Sequence, residues 1–175
     1  MQKDSAASRI QANIQELFKS NLAAGEAYIR FQLTADIKAL LLMEQVQESL
    51  IVETDRITAL PGMPSSIIGV INSRDRVFCV YDLPHLLNLP TTLIGAQQYQ
   101  IVVLEISQPQ SEEQKLHVGL AVEQISGITR LSENSFQPPI NVPISLQPYV
   151  KACVDDGERQ FVLNFAAITA AITTK

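Results

Sequence analysis

IIGVINSRDRVFCVYDLPHLL, residues 67–87, decides the fold, because the chain carries this pattern twice. The second copy is YVKACVDDGERQFVLNFAAIT, residues 149–169. Ile68 aligns with Val150, Ile71 with Cys153, Val80 with Val162, Asp82 with Asn164 and Leu83 with Phe165, each pair 82 positions apart. Upstream, LMEQVQESL (42–50) aligns with AVEQISGIT (121–129) at a separation of 79, and both blocks contain the same Glu-Gln pair. A loop indel accounts for the small change of offset. Each copy of the longer block is two short runs of β-branched and aromatic residues around a polar turn, Ser73-Arg74-Asp75 in one and Asp155-Asp156-Gly157 in the other. That is the pattern of a β-hairpin. Two blocks matching in the same order indicate a duplicated unit.

The remaining runs carry the same short period: YIRFQL (28–33), ALLLM (39–43), VQESLIV (46–52), QIVVLEI (100–106) and LHVGLAV (116–122). Turn residues separate them at Thr34-Ala35-Asp36, Pro61-Gly62 and Ser107–Gln114. The expectation is a mainly β protein of two small barrels packed side by side, over about 27–95 and 96–172, possible strand exchange included. Short helical segments are expected at 83–89, where Pro84 suits a first helical position, and at the C-terminus after Phe165. Residues 1–24 read as a separate N-terminal amphipathic helix: Ile10, Ile14, Leu17 and Phe18 recur at helical spacing, Ser8 and Gln11 stand at capping-box spacing, and Asn21 and Gly25 provide a stop. The stretch 132–148 holds Pro138, Pro139, Pro143 and Pro148, which excludes a central strand. It reads as a crossover loop over its own domain, with Phe136, Ile140, Val142 and Ile144 available to pack; a polyproline ligand is the alternative.

Composition narrows the function. Thirteen Lys and Arg against 18 Asp and Glu give a net charge of −5, which argues against nucleic acid as a partner. Apolar residues make up 46% and charged residues 18%, too apolar for a disordered chain. No apolar run approaches the roughly 18 residues of a membrane span, and the N-terminus lacks a signal peptide's apolar core. Cys79 and Cys153 have no Cys or His partner at ligand spacing, so they read as small core residues in a reducing, cytoplasmic setting. Phosphate-binding glycine loops, nucleophile elbows and zinc motifs are absent from the sequence. His117 is expected to face water from a strand that buries Leu116, Val118, Leu120 and Val122. His85, three residues after Asp82, suits a contact within one helical turn. Glu112 and Glu113 read as a solvated hairpin tip. Neither histidine has a nucleophile or metal ligand beside it, so the expectation is a protein that is not an enzyme and holds no cofactor or metal.

Residues 67–89 resemble the signature of the CheW-like chemotaxis coupling proteins, a Gly-Val-x-Asn-Leu-Arg-Gly turn followed by a strand ending in Asp-Leu. Gly69, Val70, Asn72, Arg74, Asp82 and Leu83 match it. VQES (46–49), PGMP (61–64) and YVKACVDDGERQFVL extend the resemblance over about 27–172. Ser73 replaces the usual Leu, Asp75 the usual Gly, Lys151-Ala152 a basic-Gly pair and Asn164-Phe165 an Asp-Leu pair. Asp enters the left-handed region less readily than Gly, which allows a turn of altered geometry.

The resemblance implies two five-stranded SH3-like barrels with a groove between them. It also implies a non-catalytic adaptor of two-component signal transduction in chemotaxis, recruited in the cytoplasm to receptor arrays without inserting into the membrane. Its partners would be the cytoplasmic tip of methyl-accepting receptors and the regulatory domain of a CheA-type histidine kinase. A helical receptor tip docks through side chains three or four apart, and Val46, Gly69 and Val70 are the matching positions assigned to such a groove. Glu48 and Arg74 are opposite charges able to pair across the fold and fix an interface; the plain alternative is two solvated charges. A competing reading is a generic SH3-like peptide-binding module. Such modules line their groove with aromatics, and this chain has no Trp, 4 Tyr and 6 Phe.

Overall fold

The computed structural model describes residues 25–108 and 110–174, so the expected helix over 1–24 lies outside the described residues. Among the described residues eleven strands form: β1 (Glu26–Thr34), β2 (Ile37–Leu42), β3 (Val46–Glu53), β4 (Ile67–Ser73), β5 (Arg76–Asp82), β6 (Gln98–Gln108), β7 (Ser111–Val122), β8 (Gln124–Leu131), β9 (Phe136–Gln137), β10 (Val150–Asp155) and β11 (Arg159–Leu163). Two helices, α1 (Leu83–Leu86) and α2 (Phe165–Thr173), follow β5 and β11. The fold is mainly β, in two sheets.

The sheets carry the sequence repeat into three dimensions. One has the order β3-β6-β7-β5-β4 and the other β8-β1-β2-β11-β10-β9. Strands at matching places are the two copies: β3 and β8 at one edge, the hairpins β4–β5 and β10–β11 at the other. Each sheet contains one parallel contact, β5 on β7 and β11 on β2. Even the irregularities repeat, since the register slips around Gln47 in β3 and around Ser126 in β8, 79 positions apart. The two sheets do not follow the two halves of the chain. Residues 46–122 build one sheet, whereas the other takes β1 and β2 from before that stretch and β8 to β11 from after it.

Both sheets curl. A flat six-stranded sheet sets its edge strands roughly 24 Å apart, yet only residues 132–135 connect β8 to β9, a reach of roughly 17 Å at most. In the other sheet the chain leaves β3 through a 3-10 turn and returns to the far edge. There Thr58 exchanges both backbone hydrogen bonds with Val70 of β4, at 2.9 and 2.8 Å. Curling gives each sheet its own small core: Val52, Ile71, Phe78, Val80 and Ile101 in one, Tyr28, Leu40, Val154 and Val162 in the other. The largest core lies between the sheets, where Phe31, Leu33 and Leu41 meet Val102, Leu104 and Leu120.

The ends of the hairpins are fixed by equivalent caps. Asp82 accepts the His85 backbone N–H at 3.0 Å, and Asn164, its copy, accepts that of Ala167 at 3.2 Å. Asp82 is buried and its second oxygen takes the Thr91 hydroxyl at 2.6 Å, so both carboxylate oxygens are engaged. Removing them in Asp82→Ala is expected to cost about 2 kcal/mol, against about 1 kcal/mol for Asn164→Ala, as read from denaturant midpoints. A smaller loss for Asp82 would show that water replaces its partners.

Several sequence expectations are corrected. Asp82 meets His85 through the backbone N–H, and the imidazole Nε2 instead lies 3.0 Å from the Ser65 hydroxyl. Leu116 is 38% exposed, because β7 runs out past the core, while Val118, Leu120 and Val122 are buried as read. Glu112 and Glu113 fall within β7, at the irregular end of the β6–β7 hairpin where the register shifts between the Ser107–Lys115 and Gln108–Ser111 pairs. In the proline-rich stretch Phe136 packs on the Tyr28 ring and Val142 is buried, but Ile140 and Ile144 are exposed and Leu146 fills the core in their place. Its six-residue 3-10 turn (Ile144–Tyr149) sends Ile144 outward at its first position.

Candidate functional site

The β4–β5 turn places Arg74 and Asp75 in the left-handed region, at φ 50° and 63°. Ser73 pairs directly with Arg76 around them. This is the two-residue hairpin geometry with positive φ at both central positions. Asp75, in place of glycine, therefore keeps a left-handed turn, since short Asp side chains tolerate that region. The tight turn holds the Arg74 backbone while its side chain stays 78% exposed.

From there Arg74 Nη1 reaches Glu48 Oε2 at 3.1 Å. Glu48 stands on β3 at the opposite edge of the same sheet, and the curl brings the two edges together. The Glu48 side chain is only 18% exposed. The sequence copy tests whether the fold requires this pair. The counterparts of Glu48 and Arg74 are Gly127 and Asp156, which cannot form an ion pair. The second sheet curls without one.

Glu48 also lines an apolar groove of about 360 Å³ where β3 meets β1 and β8 of the other sheet. Met43, Val46 and Ser49 join it on one wall, and Ile29, Ile125, Gly127 and Ile128 form the other. The walls are repeat counterparts: Val46 aligns with Ile125, Glu48 with Gly127 and Ser49 with Ile128. Ile128 is 61% exposed, a large apolar side chain left in water.

The structure separates the other two candidate residues from this groove. Gly69 lies buried under the returning segment, and a Cβ there would sit 2.4 Å from the Thr58 carbonyl oxygen and 2.8 Å from Ile57 Cγ2. Val70 lines a second shallow groove of about 330 Å³ with Thr58, Leu60 and Val77. Leu60 and Val77 are 44% and 66% exposed there. Val46, Glu48 and Arg74 thus form one constellation, whereas Gly69 is buried beneath residues 57–58 and Val70 lines the second groove.

His117 faces outward into a polar cluster and not into bulk water. Its Nε2 lies 3.1 Å from Arg76 Nη1 and 3.5 Å from Glu105 Oε2, while Lys115 Nζ reaches Glu105 Oε1 at 2.6 Å. The Lys115 hydrogen bond holds the Glu105 carboxyl below the usual carboxylate range, with the charges of Lys115, His117 and Arg76 adding to the effect. A depressed carboxylate stabilises the fold at neutral pH and loses that contribution as the pH falls through its folded pKa. Lys115→Gln is expected to move the Glu105 titration upward, as read by side-chain NMR; an unchanged midpoint would show that the pair does not persist in water. Among the described residues no group of three or more His, Cys, Asp or Glu side chains is placed to hold a metal ion. No described helix is long and apolar enough to cross a membrane.

A family model described as the CheW-like domain matches residues 28–172. The chain belongs to the CheW-like domain family. Among solved structures it is similar to the scaffolding protein TtCheW from Thermoanaerobacter tengcongensis. That match has a TM-score of 0.65 and 24% sequence identity over 81% of this chain and 90% of that one, a likeness of fold. No curated protein matches. Within this CheW-like domain the sequence reading had one wall of the groove, at Val46 and Glu48, and lacked the other. The signal was present, since the alignment of 42–50 with 121–129 already set Val46 against Ile125. It lacked any indication that these two copies face each other.

Proposed function

We propose that this CheW-like protein is a non-catalytic adaptor that couples methyl-accepting chemotaxis receptors to a CheA-type histidine kinase. The observation that carries the reading is the Glu48–Arg74 pair beside the apolar groove, kept in one copy of the repeat and absent from the other. A duplicated fold that closes without the pair has no structural need of it, which favours a surface role. The groove offers apolar anchors from Val46, Ile125 and Ile128 with a charged rim at Glu48 and Arg74, the composition a helical hairpin with a polar flank would meet. The Val70, Leu60 and Val77 face is a second apolar surface, suited to the regulatory domain of the kinase. Adaptors that hold two partners at once require two such faces. In this reading each curled sheet is an SH3-like barrel, and the protein works in the cytoplasm at membrane-associated receptor arrays.

The experiment is reconstitution of the protein with a receptor cytoplasmic fragment and a CheA-type kinase. A ternary complex and a changed rate of kinase autophosphorylation are expected; a protein that binds neither partner ends the proposal. The rival reading, a proline-rich peptide module, needs an aromatic groove. The lining residues of the main groove include no aromatic side chain.

A further inference from the structure

The His117 cluster and the Glu48–Arg74 pair ring one opening. His117 stands two residues before Gly119, where a Cβ would meet Phe78, Val80 and Ile101 of that sheet's own core, and Arg76 stands two residues before Phe78. Alternate residues of a strand share a face, so both side chains end that core where the curled sheet opens to water. Glu105 pairs with His117 and shares its face. Glu48 pairs with Val103 of the same core, two residues from Glu105 along β6. Ser73 pairs with Arg76, so Arg76 flanks the very turn that presents Arg74.

The second copy shows what such an opening holds when it does not titrate. Val80 pairs with Gly119, and its copy Val162 pairs with Leu40. Two residues back, the place of His117 therefore falls to Lys38. Arg76 aligns with Glu158 at the same separation of 82, and Lys38 and Glu158 form an ion pair. An ammonium–carboxylate pair keeps both charges near neutral pH, whereas imidazole is the side chain that ionises between about pH 5 and 8. The fold closes with either pair, and the one beside Arg74 responds to a proton.

We infer that protonation of His117 releases Arg74 from Glu48, so that this surface is presented to its partner in proportion to acidity. The inference rests on the reading above that Arg74 meets a partner. Unprotonated His117 Nε2 accepts from Arg76 Nη1 at 3.1 Å. A proton on that nitrogen ends the acceptance and sets an imidazolium against a guanidinium. Glu105 Oε2, 3.5 Å away, takes the new N–H, while Lys115 keeps the other oxygen. Glu105 stays ionised through this range, because the Lys115 hydrogen bond holds its carboxyl low. Arg76 then turns to Glu48, the carboxylate on the neighbouring strand, and competes there with Arg74. Asp75 in the turn and Glu113 farther out on β7 are exposed, so water screens them more than Glu48, whose side chain is 18% exposed. β4 carries no charged side chain.

The test follows the full chain by NMR from about pH 8 to about pH 5.5, reading the His117 ring nitrogens and the Nε–H signals of Arg74 and Arg76. Both arginine signals are expected to move at the His117 midpoint. They should stand still in His117→Gln, whose amide oxygen accepts from Arg76 at every pH. Arg76→Glu with His117→Lys carries the second copy's pair into the opening and should leave the Arg74 signal equally flat, which keeps the test decisive if His117→Gln does not fold. Arginine signals that ignore the His117 midpoint, or that move alike in parent and variants, overturn the inference. Calorimetry with the receptor cytoplasmic fragment is run at both ends of the range. Acidification is expected to tighten binding to the parent about fivefold more than binding to His117→Gln. A fragment that binds both with the same pH dependence overturns the inference and leaves the adaptor reading standing. If the arginine signals follow His117 while the fragment binds at neither pH, the switch stands and the adaptor reading fails alone.

Discussion

Arg74→Glu is expected to lower partner binding roughly 30-fold or more, about 2 kcal/mol, while changing fold stability by about 1 kcal/mol or less. The two effects separate because the Arg74 side chain is 78% exposed and turns on a rigid hairpin, so little packing is lost. Binding suffers more, since a guanidinium offers several fixed donors and only one nitrogen is committed to Glu48. The reversed charge also sets two carboxylates side by side at the rim of the groove. The exchange Glu48→Arg with Arg74→Glu restores the ion pair with its ends inverted. If the pair only shapes the rim, binding returns with it; if a partner reads the guanidinium where it now stands, binding stays low and stability alone recovers. Titration calorimetry with the receptor fragment and the kinase domain gives both answers, and undiminished affinity of Arg74→Glu for both partners removes this turn from the interface.

Gly69→Ala is expected to lower stability by about 2–4 kcal/mol, a fall in Tm of about 5–15 °C for a domain of this size. The added methyl would lie 2.4 Å from the Thr58 carbonyl oxygen, a backbone atom that moves only if the Thr58–Val70 bridge opens. Opening it breaks two hydrogen bonds at the seam where β4 meets the chain returning from β3. Ile57→Ala on the same background relieves the 2.8 Å side-chain contact and leaves the backbone clash, so it should not rescue the melt. A Tm within about 1 °C of the parent would show that residues 57–58 swing freely and that this sheet is not closed there. The same change tests the family-derived assignment of Gly69 to a docking surface. If receptor binding falls in proportion to folding, Gly69 acts through the seam.

Most strands were legible because their signal is local. RVFCVYDL, QIVVLEI and YVKACV are short β-branched runs between turn residues, and β5, β6 and β10 stand where those runs are. β8 escaped that reading: QISGITRL mixes Gln, Ser, Gly and Thr into an edge strand whose residues are mostly exposed or half-buried, so no apolar run announces it. Its one trace in the sequence is the alignment of 121–129 with 42–50, the block that contains β3. The proline-rich segment shows the same limit in reverse. Apolar identity made Ile140 and Ile144 available to pack, whereas both are exposed and the 3-10 turn from Ile144 to Tyr149 buries Leu146.

The sequence by itself determined the duplicated β architecture and the two hairpins with their polar turns, because each depends on residues within one hairpin. The caps at Asp82 and Asn164 and the left-handed backbone at Arg74 and Asp75 were read from the structure. Only the tertiary structure decided that β1 and β2 join the second hairpin and that β3 and β8 face each other across a groove. It alone decided, too, that Gly69 lies beneath Thr58 and away from Val46 and Glu48. Those are contacts between segments far apart in the chain, set by how two curled sheets bury their outer faces against one shared core. Local pattern carries no record of which of two equivalent sheets a strand will enter, since the pairing that wins is the one that closes both.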